Sequence, residues 1–204
     1  MKVHQVEVGN MQNFTYILED EDTVEAIIID PSWDLEKIEQ IIKRNNLNVK
    51  YIVNTHYHFD HTIGNEYMAK VTKANIIQHE ASTIRNDIKL SDGAKITFGK
   101  SELIAVHTPG HSKDSMCLVG DGKIFSGDTL FVGNCGRVDL PGGNARELFN
   151  SLFDIICKLD DDLVLYPGHN YGATPTSTLG KEKKTNFVLQ PKTESEFVEF
   201  MASD

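Results

Sequence analysis

Apolar and polar positions divide the chain into strand-rich and helical stretches. Positions 2–9, 13–19 and 23–30 are rich in Val, Ile, Tyr and Thr, with polar turns at 10–13 and 19–22, and predict three strands. The spacing then lengthens. Leu35, Ile38, Ile41 and Ile42 predict a helix from Asp34 to about Asn46. A strand at 50–54 and a helix at about 62–73 follow. Further strands are expected at 75–78, 95–98, 103–107, 116–119 and 123–125. Leu148, Leu152, Ile155, Ile156 and Leu159 share one face of a helix over 144–159. A strand at 163–166 and a helix over about 178–186 complete the pattern. A β-rich half and helix repeated twice suits two sheets packed face to face with helices outside. The pattern alone leaves α/β and α+β both open.

Composition narrows the classes of function. With 204 residues, 40% of them hydrophobic, the chain can build one domain with a large core. A net charge of −10 disfavours a nucleic-acid partner, because phosphate neutralisation needs clustered Lys and Arg. The one basic cluster, Lys181, Lys183 and Lys184, is interrupted by Glu182 and reads as a solvated helix face. No signal peptide is visible at the N-terminus. No apolar run approaches the roughly 20 residues of a spanning helix, so no membrane partner is expected. The three cysteines, Cys117, Cys135 and Cys157, lie far apart and read as thiols of a cytoplasmic protein.

The candidate chemistry sits just past four of the expected strands. The run Thr55-His56-Tyr57-His58-Phe59-Asp60-His61 follows the strand at 50–54. Thr108-Pro109-Gly110-His111, Ser126-Gly127-Asp128-Thr129 and Tyr166-Pro167-Gly168-His169 each end another. Gly lets the backbone turn sharply and Pro stiffens two of the turns, so these side chains can converge at one sheet edge. Neutral imidazole with carboxylate suits zinc, iron or manganese. No G-x-S-x-G is present to suggest a serine nucleophile.

The H-x-H-x-D-H run and the three later motifs resemble the signature of the metallo-β-lactamase superfamily. That resemblance implies an α+β fold, a four-layer αββα sandwich. It implies that His56, His58 and His111 bind one metal and that Asp60, His61 and His169 bind a second. Asp128 would bridge the two, making Asp60 and Asp128 the catalytic carboxylates. Two divalent ions, zinc or iron, would then generate hydroxide near neutral pH and polarise a carbonyl.

Two branches compete. His61-Thr62-Ile63-Gly64-Asn65-Glu66 and Phe131-Val132-Gly133 look like glyoxalase II (hydroxyacylglutathione hydrolase), a dinuclear thioesterase. Cys135-Gly136-Arg137-Val138-Asp139 looks like the C-G-R-x-D of persulfide dioxygenases, which would hold one iron on His56, His111 and Asp128. The leading expectation is a metal-dependent hydrolase of a small thioester or ester. The alternative is the dioxygenase. Lactamase or nuclease activity, or a non-catalytic metal-binding module, ranks lower. Only 35 residues follow His169, so the helical glutathione-gripping domain of larger glyoxalase II enzymes is not expected and residues 1–204 read as a single domain.

Other residues carry narrower expectations. Tyr171 stands where both families place a tyrosine near the thiol substrate. Arg137 is a candidate clamp for a substrate carboxylate, or else pairs with Asp139 to fix the loop. Cys135 reads as a small buried residue, Trp33 as a hydrophobic wall near the mouth, and Asp30 as a hydrogen-bonding support for the metal loop. His107 is a candidate partner for a liganding imidazole. His4 and His79 read as surface residues.

Overall fold

The computed structural model describes residues 1–190 and 192–202. Two six-stranded sheets form its centre. In the first, β1 (Lys2–Val8), β2 (Asn13–Glu19), β3 (Glu25–Ile29), β4 (Asn48–Val53), β5 (Asn75–His79) and β6 (Ile88–Leu90) lie side by side in chain order. The second is built from β7 (Lys95–Phe98), β8 (Ser101–His107), β9 (Met116–Gly120), β10 (Lys123–Gly127), β13 (Val164–Pro167) and the short β14 (Ser177–Thr178), ordered β14-β13-β10-β9-β8-β7. A two-stranded ribbon, β11 (Leu130–Phe131) with β12 (Asn134–Cys135), stands apart.

Strand alternation sorts side chains into layers. In β2, Tyr16 and Leu18 enter the core between the sheets, while Ile17 faces the other way. In β3, Ile27 and Ile29 go inward, and Ala26 and Ile28 outward. The outer face of the first sheet is covered by α1 (Leu35–Asn45) and α3 (Asn65–Thr72), through Ile38 and Met68. In β9 and β10, Leu118 and Phe125 meet the first sheet, whereas Cys117 and Ile124 face Leu148, Leu152, Ile156 and Phe197. Those residues belong to the segment that begins with α4 (Ala145–Asn150), and to α6 (Glu194–Ala202). The order is helix, sheet, sheet, helix, as the resemblance implies.

Several elements depart from the expected pattern. The helix expected at 62–73 is two pieces, α2 (Phe59–Thr62) and α3. The break falls at Gly64, whose N–H donates to the Pro31 carbonyl at 3.0 Å and ties the segment to the loop before α1. The helix expected over 144–159 is regular only through α4, which Asn144 caps by accepting from the N–H groups of Arg146 and Glu147. It then widens into a π turn over Ser151–Ile155 and tightens over Ile156–Lys158. Ser151 Oγ donates to the Pro109 carbonyl at 2.6 Å at the start of the π turn. The basic cluster is not simply a solvated face. Glu182, in α5 (Leu179–Thr185), is buried and accepts from Gly133 N–H, Ser177 Oγ and Asn186 Nδ2. The sequence pattern does not anticipate β6, β11, β12, β14 or α6, because strands of two or three residues have no legible period and α6 carries one fully buried anchor, Phe197.

Candidate metal centre

Four strand ends deliver the chemistry to one edge of the sandwich. β4 leads into His56, His58, Asp60 and His61; β8 into His111; β10 into Asp128; β13 into His169. The metal-ligating atoms of His56, His58 and His111 lie within 4.8 Å of one another. The same holds for His56, His61 and Asp128, and for Asp60, His61 and His169. All seven side chains of the expected set therefore converge. Asp128 sits between the two groups: Oδ2 is 3.5 Å from His111 Nε2 and 3.3 Å from His169 Nε2, and Oδ1 is 3.4 Å from His61 Nε2. Its approach requires glycine at 168, where a Cβ would come within 2.3 Å of Asp128 Oδ1.

The outward-facing ring nitrogens explain why the imidazoles hold these orientations. His61 Nδ1 donates to Asp30 Oδ2 at 3.0 Å, His111 Nδ1 to the Arg137 carbonyl at 2.7 Å, and His169 Nδ1 to the Met11 carbonyl at 2.8 Å. Each bond fixes the tautomer that leaves Nε2 facing the centre. Asp30 also accepts from the Thr55 N–H at 2.7 Å and the Thr55 hydroxyl at 2.6 Å, while Thr55 Oγ1 lies 3.1 Å from His56 Nδ1. Asn13 holds Asp60 by donating to Oδ2 and to the backbone carbonyl, both at 3.0 Å.

Inside the cluster, hydrogen bonding is incomplete in a way that suits cations. His56 Nε2 and Asp128 Oδ1 are buried without a hydrogen-bond partner. His58 Nδ1 faces His111 Nε2 at 2.9 Å, and His61 Nε2 faces His169 Nε2 at 3.2 Å. Lone pairs gathered this closely repel unless a proton or a cation lies among them, and buried polar atoms otherwise find partners. The donor set of nitrogen and carboxylate oxygen fits zinc or iron.

Electrostatics divide the two groups. Burial, reinforced by neighbouring imidazoles, holds His56 well below its ordinary pKa and pushes His58 down to about 4. Burial also opposes charge on His61 and His169, but the Asp128 carboxylate outweighs it, so His61 is raised well above the usual range and His169 to about 9. Burial disfavours ionised Asp60 and Asp128 too. The neighbouring His61 and His169 overcome that and hold both carboxyls well below the usual range.

The cluster forms the floor of a cavity of about 540 Å³. Tyr171 and Arg137 line it, as does the buried Cys135. Tyr171 stacks on His169, with ring centroids 4.6 Å apart and an interplanar angle of 11°. Arg137 grips Asp139 through Nε and Nη2, so the loop-fixing alternative is the one the structure contains.

Some expectations need correction. Trp33 is not among the lining residues; its ring packs edge-on behind Phe59, which is. His107 supports no candidate ligand: its Nε2 bonds the Lys113 carbonyl and its ring stacks on His79 at 3.9 Å. His79 is accordingly buried at 4% exposure. His4 is half-buried and bonded to Glu19 at 2.7 Å. The supports that sequence reading missed are Thr55, Asn13 and the carbonyls of Met11 and Arg137. Backbone carbonyls leave no residue-type signal, and Asn13 has no motif spacing to the histidines.

Comparison with known proteins agrees with this geometry. The chain matches the Metallo-beta-lactamase superfamily over residues 8–83 and 78–169. It is 31% identical to the probable polyketide biosynthesis zinc-dependent hydrolase PksB of Bacillus subtilis, over 98% of this chain and 92% of that protein. It is 35% identical to a hydroxyacylglutathione hydrolase of Polaromonas, over 84% of this chain and 67% of that one. The crystal structure of ETHE1 from Myxococcus xanthus superposes with a TM-score of 0.94 at 28% identity, covering 99% of this chain and 90% of that one. Fold, converging histidines and family match together place this chain in the metallo-β-lactamase superfamily.

Proposed function

We propose that this protein is a dinuclear metallohydrolase that cleaves a small thioester or ester. The observation that carries the reading is the convergence of two ligand groups on Asp128, with His56 Nε2, His58 Nε2 and Asp128 Oδ1 buried and lacking a hydrogen-bond partner. His56, His58 and His111 would hold one ion, Asp60, His61 and His169 the other, with Asp128 shared. Bound there, divalent cations lower the pKa of coordinated water towards about 7 and polarise a carbonyl.

The protein's own residues supply the rest. Asp30, Arg137 and Met11 fix the imidazoles before substrate arrives, so little reorganisation accompanies the reaction. Asp60 and Asp128 are ionised and can accept a hydrogen bond from the attacking water, orienting it toward the carbonyl carbon. As the new C–O bond forms, the C–S bond breaks. The thiol leaves with one proton of the water, and the acid product releases the second. Polaromonas hydroxyacylglutathione hydrolase and PksB, both hydrolases by name, support this reading through their similarity along the chain.

A second reading, an iron-dependent persulfide dioxygenase, is favoured by 33% identity to the human mitochondrial persulfide dioxygenase ETHE1, over 93% of this chain and 76% of that protein, and by the Arg137–Asp139 pair within C-G-R-x-D. Two measurements separate them. The hydrolase should carry two ions per chain and release thiol from an acyl-thioester under strict anaerobiosis. His169→Ala should remove one ion and the activity together. One iron per chain, retained in His169→Ala, with oxygen uptake on a thiol persulfide and no anaerobic thiol release, would replace the first reading with the second.

A further inference from the structure

The walls of the cavity differ in character from its floor. Met11, Phe59, Phe131, Leu140, Pro141 and Tyr171 make up most of its apolar sides. Three of these are large hydrophobic groups left open to solvent: Met11 at 41%, Phe59 at 62% and Tyr171 at 52% exposure. Apolar surface gathered around one opening marks a binding site more often than scattered single residues do. A volume of about 540 Å³ lies inside the range of small-molecule sites, about 300–1,000 Å³.

The polar groups on those walls are largely engaged already. The Tyr57 hydroxyl donates to the Pro141 carbonyl. Asn134 Oδ1 accepts from the Cys135 N–H at 2.8 Å. Arg137 is the one cationic side chain lining the cavity among the described residues, apart from histidines, and Asp139 occupies its guanidinium through two nitrogens. A substrate bearing carboxylates away from its reacting carbonyl finds no unpaired cation to receive them. The Tyr171 hydroxyl and the Asn134 amide nitrogen remain for neutral contacts.

The wall is also held in place. The loop 136–144 is bonded to the ligand-bearing segments along its length: His111 Nδ1 to the Arg137 carbonyl, Tyr57 to the Pro141 carbonyl, and Asn144 N–H to the Gly110 carbonyl at 2.7 Å. Leu140 and Pro141 are thus fixed relative to the reacting centre. A preformed apolar wall selects by shape and by burial, not by charge.

We infer that the substrate is a neutral thioester with a sizeable apolar acyl group, seated against Met11, Phe131, Leu140 and Tyr171, and that the site does not select a glutathione-type, carboxylate-bearing thiol. The inference rests on the hydrolase reading, and binding and turnover test the two separately. Metal-loaded protein is titrated with unreactive thioethers, S-methyl and S-octyl N-acetylcysteamine and S-octyl glutathione. The quenching of Trp33, the sole tryptophan, which packs on Phe59, is followed. The octyl ligand should bind at least about tenfold more tightly than the methyl one. The glutathione conjugate should bind no more tightly than its N-acetylcysteamine counterpart. Turnover of acetyl and octanoyl thioesters of N-acetylcysteamine should show the same preference in kcat/KM. Leu140→Asn and Met11→Ser should each bring the octanoyl-to-acetyl ratio toward unity. Equal binding of methyl and octyl ligands, or tighter binding of the glutathione conjugate, would overturn the inference whatever the turnover. Absence of all thioester turnover alongside octyl-selective binding would instead overturn the hydrolase reading.

Discussion

His111 donates its Nδ1 proton to the backbone carbonyl of Arg137 at 2.7 Å, and this one bond ties a candidate metal ligand to the wall of the substrate cavity. The Arg137 side chain takes no part; it points to Asp139 at the surface. Backbone position, not residue identity, therefore matters at 137. Arg137→Ala should retain full metal content by elemental analysis. Gly136→Ala should not, because a Cβ there would sit 1.9 Å from the Asp128 carbonyl oxygen and 3.0 Å from His111 Nδ1. We expect its metal affinity to fall about tenfold or more. Equal metal content in the two variants would contradict this assignment.

Asp30 joins the fold to the site. It is buried and accepts from Thr55 N–H, Thr55 Oγ1 and His61 Nδ1. Asp30→Asn keeps the volume and loses the charge and one acceptor. Metal affinity should drop about 10–100-fold, read by competition with a chelator. Stability should fall by about 1–3 kcal/mol in urea denaturation, because a buried donor loses its partner. A variant with unaltered chelator competition would show that His61 needs no such support.

Tyr16 crosses between the sheets. From β2 its hydroxyl donates to the Pro167 carbonyl of β13, two residues before His169, and it accepts from Gln5 Nε2 at 3.3 Å. Tyr16→Phe should cost about 1–2 kcal/mol, since the buried carbonyl is left without its donor. The effect should appear in the denaturation midpoint with an unchanged slope.

Loading of the two ligand groups should respond differently to pH. In the metal-free protein His56 is held well below the ordinary imidazole range and His58 at about 4, so both are neutral at pH 7. His61 is raised well above that range and His169 to about 9, so both carry protons there. A cation entering beside His61 and His169 must displace those protons. Its affinity should rise with pH up to about 9, while His56 and His58 have no proton to release between pH 6 and 8. The same linkage means that the proton on His169 stabilises the metal-free fold fully below its ordinary pKa of 6.5. That contribution is lost as pH climbs through about 9. Calorimetric titration in buffers of different ionisation heat measures the protons released; none released with the second ion at pH 7 would refute the division.

The sequence alone determined the pattern of layers and the list of chemical groups. Alternation such as Tyr16-Ile17-Leu18 sets which faces of a strand are buried, since side chains change sides at every residue. The histidine and aspartate motifs lie next to strand ends and Gly turns, so their types and order were legible from spacing. What only tertiary structure decided is everything made by long-range contact. The helix at 62–73 breaks because Gly64 bonds to Pro31, and His79 is buried because His107, 28 positions later, stacks on it. The supports of His111 and His169 are carbonyls of Arg137 and Met11, 26 and 158 positions away. Every residue but proline offers the same backbone groups, so local pattern cannot single these out. Only the packing of two sheets brings those carbonyls to the imidazoles and leaves the wall above them apolar.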